Sequence, residues 1–185
     1  NNDELRKVYN EVQPLIINTN NKISQSKILY DSLQRLKNMG NLSEVQKRIV
    51  DSSVHGMSLN GIGLEGEERE KFNKMVIELS KESTSFSNNV LDSTKEFSLY
   101  IENSDGMINL PQSALELYSM MAKDKFPEST PDKGPWKITL DAPSLGPFLK
   151  HHPSSDLRKK VYKAYISRAS NGKHNNIPII NNILK

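Results

Sequence analysis

Apolar positions recur at helical spacing from the first residues onward. Leu5, Val8, Tyr9, Val12, Leu15 and Ile16 stand at i, i+3, i+4, i+7, i+10 and i+11, which puts them on one stripe of a helix. Asn2, just ahead of them, suits the cap position, because its side-chain oxygen can accept an early backbone N–H. Pro14 lacks an N–H and crowds the preceding turn, so the spacing predicts a kink or an early end there, with the polar residues 18–21 following. A second stripe of Ile23, Leu29, Tyr30, Leu33 and Leu36 predicts a helix that closes near Gly40. Ser43 and Gln46 have the spacing of a capping box and open a third helix carrying Val45, Ile49 and Val50. The glycines at 56, 61, 63 and 66 then break the pattern. The longest element follows, over residues 67–96, with Phe72, Met75, Val76, Leu79, Phe86 and Val90 along one side.

The period then changes. Phe97, Leu99 and Ile101 alternate with Ser98 and Tyr100, and Trp136, Ile138 and Leu140 alternate with Lys137 and Thr139. Both read as short strands. With no further strand in sight they are expected to pair with each other, and the long connection between them permits either orientation. That connection holds a short helix starting at Pro111, with Leu115, Leu117, Tyr118 and Met121. Pro143 and Pro147 bracket a turn or short helix ending at His151-His152-Pro153. Ser154 or Ser155 caps the next helix, which carries Leu157, Val161, Tyr165 and Ala169 at steps of four, and Ile177-Pro178-Ile179-Ile180 begins a last one. The expected fold is mainly α: a multi-helix lobe with one long central helix and a small two-stranded β element, forming a single domain over residues 1–185. Periodic sequence begins at once and the final helix carries no stop signal, as expected of a region cut from a longer protein.

Composition narrows the function classes. The 185 residues include no Cys, which excludes a disulfide framework and a thiol nucleophile and suits an intracellular compartment, cytosol or organelle. The net charge of +3 is spread along the chain rather than gathered on one face, so no nucleic-acid partner is expected. No apolar run approaches the roughly 20 residues of a membrane span, so no membrane partner is expected either. Only 35% of residues are hydrophobic, which implies a thin core or a face that expects a partner.

The candidate chemistry is sparse. A helix-borne zinc site of the H-E-x-x-H kind needs two His at i and i+4, so that both imidazoles reach one metal. Neither His55, His151, His152 nor His174 has a partner at that spacing, and the adjacent His151 and His152 read as solvent-facing residues near a helix end. Ser24 and Lys27 have Ser-x-x-Lys spacing without the companion strings of a serine acyl-enzyme. Gly61-Ile62-Gly63 lacks the third glycine and the preceding strand of a dinucleotide fingerprint and reads as a loop. Arg158, Lys159, Lys160, Lys163 and Arg168 make one helix basic, but no aromatic residues are interleaved for bases, so a solvated face is the reading. Catalytic, cofactor-binding and metal-binding residues are therefore assigned to none of the chain.

Longer strings carry a resemblance. They are Glu78-Leu79-Ser80-Lys81, Phe86-Ser87-Asn88-Asn89-Val90-Leu91-Asp92-Ser93-Thr94-Lys95, Leu110-Pro111-Gln112-Ser113-Ala114 and Trp136-Lys137-Ile138-Thr139-Leu140-Asp141-Ala142-Pro143-Ser144. Leu157-Arg158 with Tyr162, Ala164-Tyr165, Arg168-Ala169-Ser170 and Asn176-Ile177-Pro178-Ile179-Ile180 complete them. In this order and spacing the chain resembles the amino-terminal helical region of the thimet oligopeptidase / oligopeptidase A family of zinc metallopeptidases. The resemblance implies a channel-wall lobe that restricts access by size, in enzymes that cleave short peptides. It also implies that the zinc ligands of full-length members lie beyond this region, so that this chain carries no cofactor of its own. Two positions depart from the family: Leu145-Gly146 stands where an aromatic is expected, and Asn175 where Asp is usual. Both point to a diverged copy. Three readings stay open: an inactive domain of a peptidase, a stand-alone relative that binds peptides or a full-length relative, and a helical interaction protein unrelated to peptides; a homodimer through the apolar stripe of the last helix is a separate expectation.

Overall fold

The computed structural model describes residues 2–185. In chain order these form α1 (Asp3–Ser24), α2 (Lys27–Asn38), α3 (Glu44–Leu59), α4 (Gly66–Glu96), β1 (Leu99–Ile101), α5 (Gln112–Ala122), β2 (Trp136–Ile138), α6 (Ala142–His151), α7 (Ser155–Ile166) and α8 (Ile177–Ile183). Short 3-10 turns occupy Met107–Asn109 and Gly172–His174. The expected class, mainly α with one long helix and a two-stranded sheet, is the one found. At 31 residues and 1.5 Å per residue, α4 is a rod of about 46 Å. Contacts divide the chain into two compact units, one up to Ser83 and one from Thr84 onward, so the division falls inside α4.

In the first unit, Asn2 caps α1 as expected, its Oδ1 accepting the Leu5 N–H at 2.8 Å. The early end expected at Pro14 does not occur. Helix α1 continues through Pro14 and the polar residues 18–21, and Ile23 belongs to it rather than to α2. One missing N–H removes a single bond of the ladder, and tertiary anchors outweigh that loss. Gln13 donates to the Ser80 hydroxyl at 2.6 Å, and Gln25, the C-cap, donates to Asn60 O at 2.9 Å and Asn73 Oδ1 at 2.7 Å. The buried residues of α1 are accordingly polar, Gln13 and Asn21, while Leu5, Val8, Tyr9, Val12, Leu15 and Ile16 are exposed. Helices α2 and α3 pack on each other, and the buried apolar residues of this unit are Val50, Val54 and Met57. The capping box forms at Ser43: its hydroxyl accepts the Gln46 N–H and the Gln46 side chain accepts the Ser43 N–H.

The second unit holds the larger core. β1 and β2 pair antiparallel, with Leu99 opposite Ile138, Tyr100 opposite Lys137 and Ile101 opposite Trp136. Each strand keeps three residues of its alternating run. α5 and α6 pack against the sheet and each other, and α7 packs on α6. Ile101, Met107, Tyr118, Trp136, Ile138, Phe148 and Val161 fill the interior. Burying each of the larger side chains is worth about 1.5–3 kcal/mol. Tyr118 and Ser144 find polar partners within this core. The Tyr118 hydroxyl donates to Ser144 O at 2.6 Å, and the Ser144 hydroxyl accepts the Thr139 N–H at 2.9 Å. Burial raises the Tyr118 phenol well above its ordinary pKa, so it stays a donor. The unexpected Leu145 is simply part of this core.

Asn176 ties the end of the unit to α4. It is 3% exposed, donates to Phe86 O at 3.1 Å and accepts from Asn89 Nδ2 at 2.8 Å, while its backbone N–H reaches Ala169 O at 2.8 Å. Asn175 Oδ1 accepts the Ile177 N–H at 3.0 Å, so the residue that replaces an expected Asp keeps an acceptor at the start of α8. Replacing Asn176 with Ala removes both side-chain bonds and takes this acceptor from the part-buried Asn89 amide. The expected loss is about 2 kcal/mol, read from the urea midpoint; a loss under about 0.5 kcal/mol contradicts the anchoring role.

Candidate functional site

The histidines do not gather. His55 is exposed on α3, His151 is half-buried at the end of α6, and His174 lies in the 3-10 turn after α7. Among the described residues no three His, Asp or Glu side chains come together in a way that could hold a metal ion. His174 Nε2 does approach Glu96 Oε1, at 3.2 Å, but the same carboxylate is ion-paired with Lys173. The Lys173 contact, opposed by some desolvation, holds the Glu96 carboxyl below its ordinary range.

His152 departs from the expectation of a solvent-facing ring, being 2% exposed. It is the C-cap of α6, and its extended backbone turns the imidazole back onto the Phe148 ring, 4.6 Å away between centroids. Sequence spacing sets which side a helical residue faces, but a cap residue leaves the helix and escapes that rule.

Ser24 and Lys27 lie on different helices. Ser24 Oγ donates to Asn21 O at the end of α1, and Ser26 caps α2. Gly61 and Gly63 sit in the connection between α3 and α4, as the loop reading expects, with Gly61 at φ +81°. Of the basic residues around α7, two serve the fold. Arg158 donates to the carbonyls of His152 and Pro153. Arg168 stacks on Tyr165 at 3.8 Å and bonds Tyr165 O and Thr94 Oγ1. Lys159, Lys160 and Lys163 remain exposed on α7.

What the sequence reading missed is a cavity of about 580 Å³ in the second unit, within the size range of small-molecule and side-chain pockets. Met107, Leu110, Leu115, Pro131 and Trp136 supply its apolar wall, and Ser104, Gln112 and Asp132 its polar groups. Trp136 is fixed there by its indole N–H, which donates to Pro131 O at 3.1 Å. Gly134 at φ +64° leaves room for the ring, since a Cβ at that position would come within 2.5 Å of it. The signal was the proline-spaced loop 127–135 running into the sole Trp. Near the sheet, Asp124 accepts from Tyr100 and is ion-paired with Lys137, which holds its carboxyl below the ordinary range. Lys125 lies 4.9 Å over the Tyr100 ring. These groups neutralise one another, and none is set beside a free nucleophile. The chemistry available to the cavity is binding of an apolar group with a hydrogen-bonding end.

Comparison with known proteins places this architecture. The family model of the neurolysin/thimet oligopeptidase N-terminal domain matches residues 1–69. A probable cytosolic oligopeptidase A from Arabidopsis thaliana is 43% identical over 98% of this chain. The chain matches the amino-terminal region of the thimet oligopeptidase / oligopeptidase A family. An organellar oligopeptidase A, chloroplastic/mitochondrial, from the same plant is 42% identical over 98% of the chain. Oligopeptidase A of Haemophilus influenzae is 34% identical over all of it. The chain spans about a quarter of the length of these relatives: 26%, 24% and 27% respectively. Among the described residues no helix is long and apolar enough to cross a membrane.

Proposed function

We propose that this chain is the non-catalytic amino-terminal lobe of a zinc metalloendopeptidase of the oligopeptidase A type, helping to wall the space in which short peptides are degraded. The observation that carries this reading is the 43% identity to an oligopeptidase A along 98% of the chain, while the chain spans 26% of that relative. Zinc and its ligands belong, on this reading, to the part of the protein outside these residues. The names of the relatives support an intracellular setting, in the cytosol or an organelle. The whole of residues 1–185 serves as one lobe, and short peptides are its transient partners.

The surface supports a lobe built to be covered. In the first unit Leu5, Val8, Val12, Leu15 and Ile16 of α1 are between 41% and 64% exposed. Contiguous apolar area on that scale is uncommon on an isolated monomer. A second reading follows from α8, where Ile180, Ile183 and Leu184 are 41%, 40% and 78% exposed. On that reading the chain is a peptide-binding or interaction module that associates with itself or with a full-length peptidase. No nucleic-acid or membrane partner is part of either reading.

Purified residues 1–185, supplied with zinc, are expected to leave a quenched fluorescent peptide intact. Chelator-sensitive cleavage by the pure chain would contradict the non-catalytic assignment. Light scattering at micromolar concentration tests the second reading. A dimer is expected that dissociates in Ile183→Asp and Leu184→Asp; a monomeric wild type, or a dimer indifferent to both substitutions, rules out pairing through α8.

A further inference from the structure

Among the described residues His152 is the one fully buried histidine, and nothing in the peptidase reading employs it. Its Nδ1 accepts the Ser154 N–H at 3.2 Å, so the ring proton of the neutral form sits on Nε2. That Nε2 is buried and has no hydrogen-bond partner. It points at the turn before Met107: a Cβ built on Gly106 would lie 3.1 Å from Nε2 and 2.7 Å from Pro153 Cγ. Gly106, at φ +83°, starts the 3-10 turn Met107–Asn109. Met107 and Leu110, the residues just past it, form the cavity wall with Trp136.

We propose that His152 is an acid-sensitive latch. As a neutral imidazole it seals the Gly106 turn onto the junction of α6 and α7, and its protonation releases that turn and opens the adjoining cavity. Phe148 stacks on it from α6, Gly106 and Pro153 close the Nε2 edge, and the Ser154 amide meets Nδ1. The charged group bearing on it is the Arg158 guanidinium from α7, which donates to the His152 carbonyl. No other charged group among the described residues bears on the ring. Protonation therefore sets an Nδ1–H against the Ser154 N–H and puts a second positive charge beside Arg158 in a site shut off from water. Both effects oppose the charged form.

Desolvation first, then Arg158, hold the His152 pKa below the ordinary histidine value. The sign follows from linkage. A folded-state value below the unfolded one means full stabilisation above the ordinary value of about 6.5, and loss as pH falls below it toward the folded value. The latch is thus closed at neutral pH and loosens on acidification.

The test uses residues 1–185. Imidazole nitrogen NMR reports the tautomer and titration of His152, and hydrogen exchange, corrected for intrinsic rates, reports opening of residues 104–110 at pH 7.5 and 5.5. The latch predicts an Nε2–H tautomer and a midpoint below that of free histidine. It predicts that protection of 104–110 falls about tenfold per pH unit once pH drops below about 6.5, until the folded midpoint is reached. In His152→Asn, which keeps an acceptor for the Ser154 N–H, that pH response disappears. An Nδ1–H tautomer, a midpoint at or above the free value, equal protection at the two pH values, or an undiminished response in His152→Asn would each overturn the proposal. If the variant does not fold, the three wild-type measurements decide the matter.

Discussion

Hydrogen bonds from amide and hydroxyl side chains to α4 are what the rest of the structure depends on. The one buried residue of this 31-residue helix is Thr94. Its inward positions are largely polar: Asn73 and Ser80 in the first unit, Asn89, Ser93 and Thr94 in the second. Gln13, Gln25, Arg168 and Asn176 reach these side chains from elsewhere in the sequence. A neutral pair of this kind is worth about 1 kcal/mol when made and more when broken, because burial removes the water that would replace it. Such contacts are directional and so fix register where apolar packing is thin. They explain how a chain with 35% hydrophobic residues holds a long helix in place while leaving so much of its apolar stripe uncovered.

Much of the fold was legible in the sequence because local signals carry it. The Asn2 and Ser154 caps, the Ser43 capping box and the two alternating runs that became β1 and β2 are all short-range patterns. The misreadings are tertiary. Pro14 failed to end α1 because Gln13 and Gln25 anchor that helix at points far away in sequence. His152 was read as solvent-facing because the turn after α6, and not helical periodicity, aims its ring. The strand orientation was open in the sequence, since it depends on where α5 carries the chain between the two strands. The cavity depends on Trp136 meeting Met107 and Leu110, residues that only the folded second unit brings together.

The proposed function rests on the long strings that resemble oligopeptidases, and not on any catalytic constellation. Among its described residues this chain offers no metal cluster, and the Lys137–Asp124 and Lys173–Glu96 pairs neutralise themselves. What it does offer is surface: an apolar stripe on α1, another on α8, and a cavity with one apolar wall. These are the properties the proposed lobe reading draws on. On the proposed reading, this lobe contributes shape rather than chemistry.

The most direct measurement is therefore complementation. The remainder of an oligopeptidase A relative, expressed without the region this chain matches, is mixed with residues 1–185 and examined by analytical ultracentrifugation and peptide cleavage. The account predicts a one-to-one complex with more peptidase activity than the remainder has alone. No association at tens of micromolar, or activity unchanged by the addition, would contradict it.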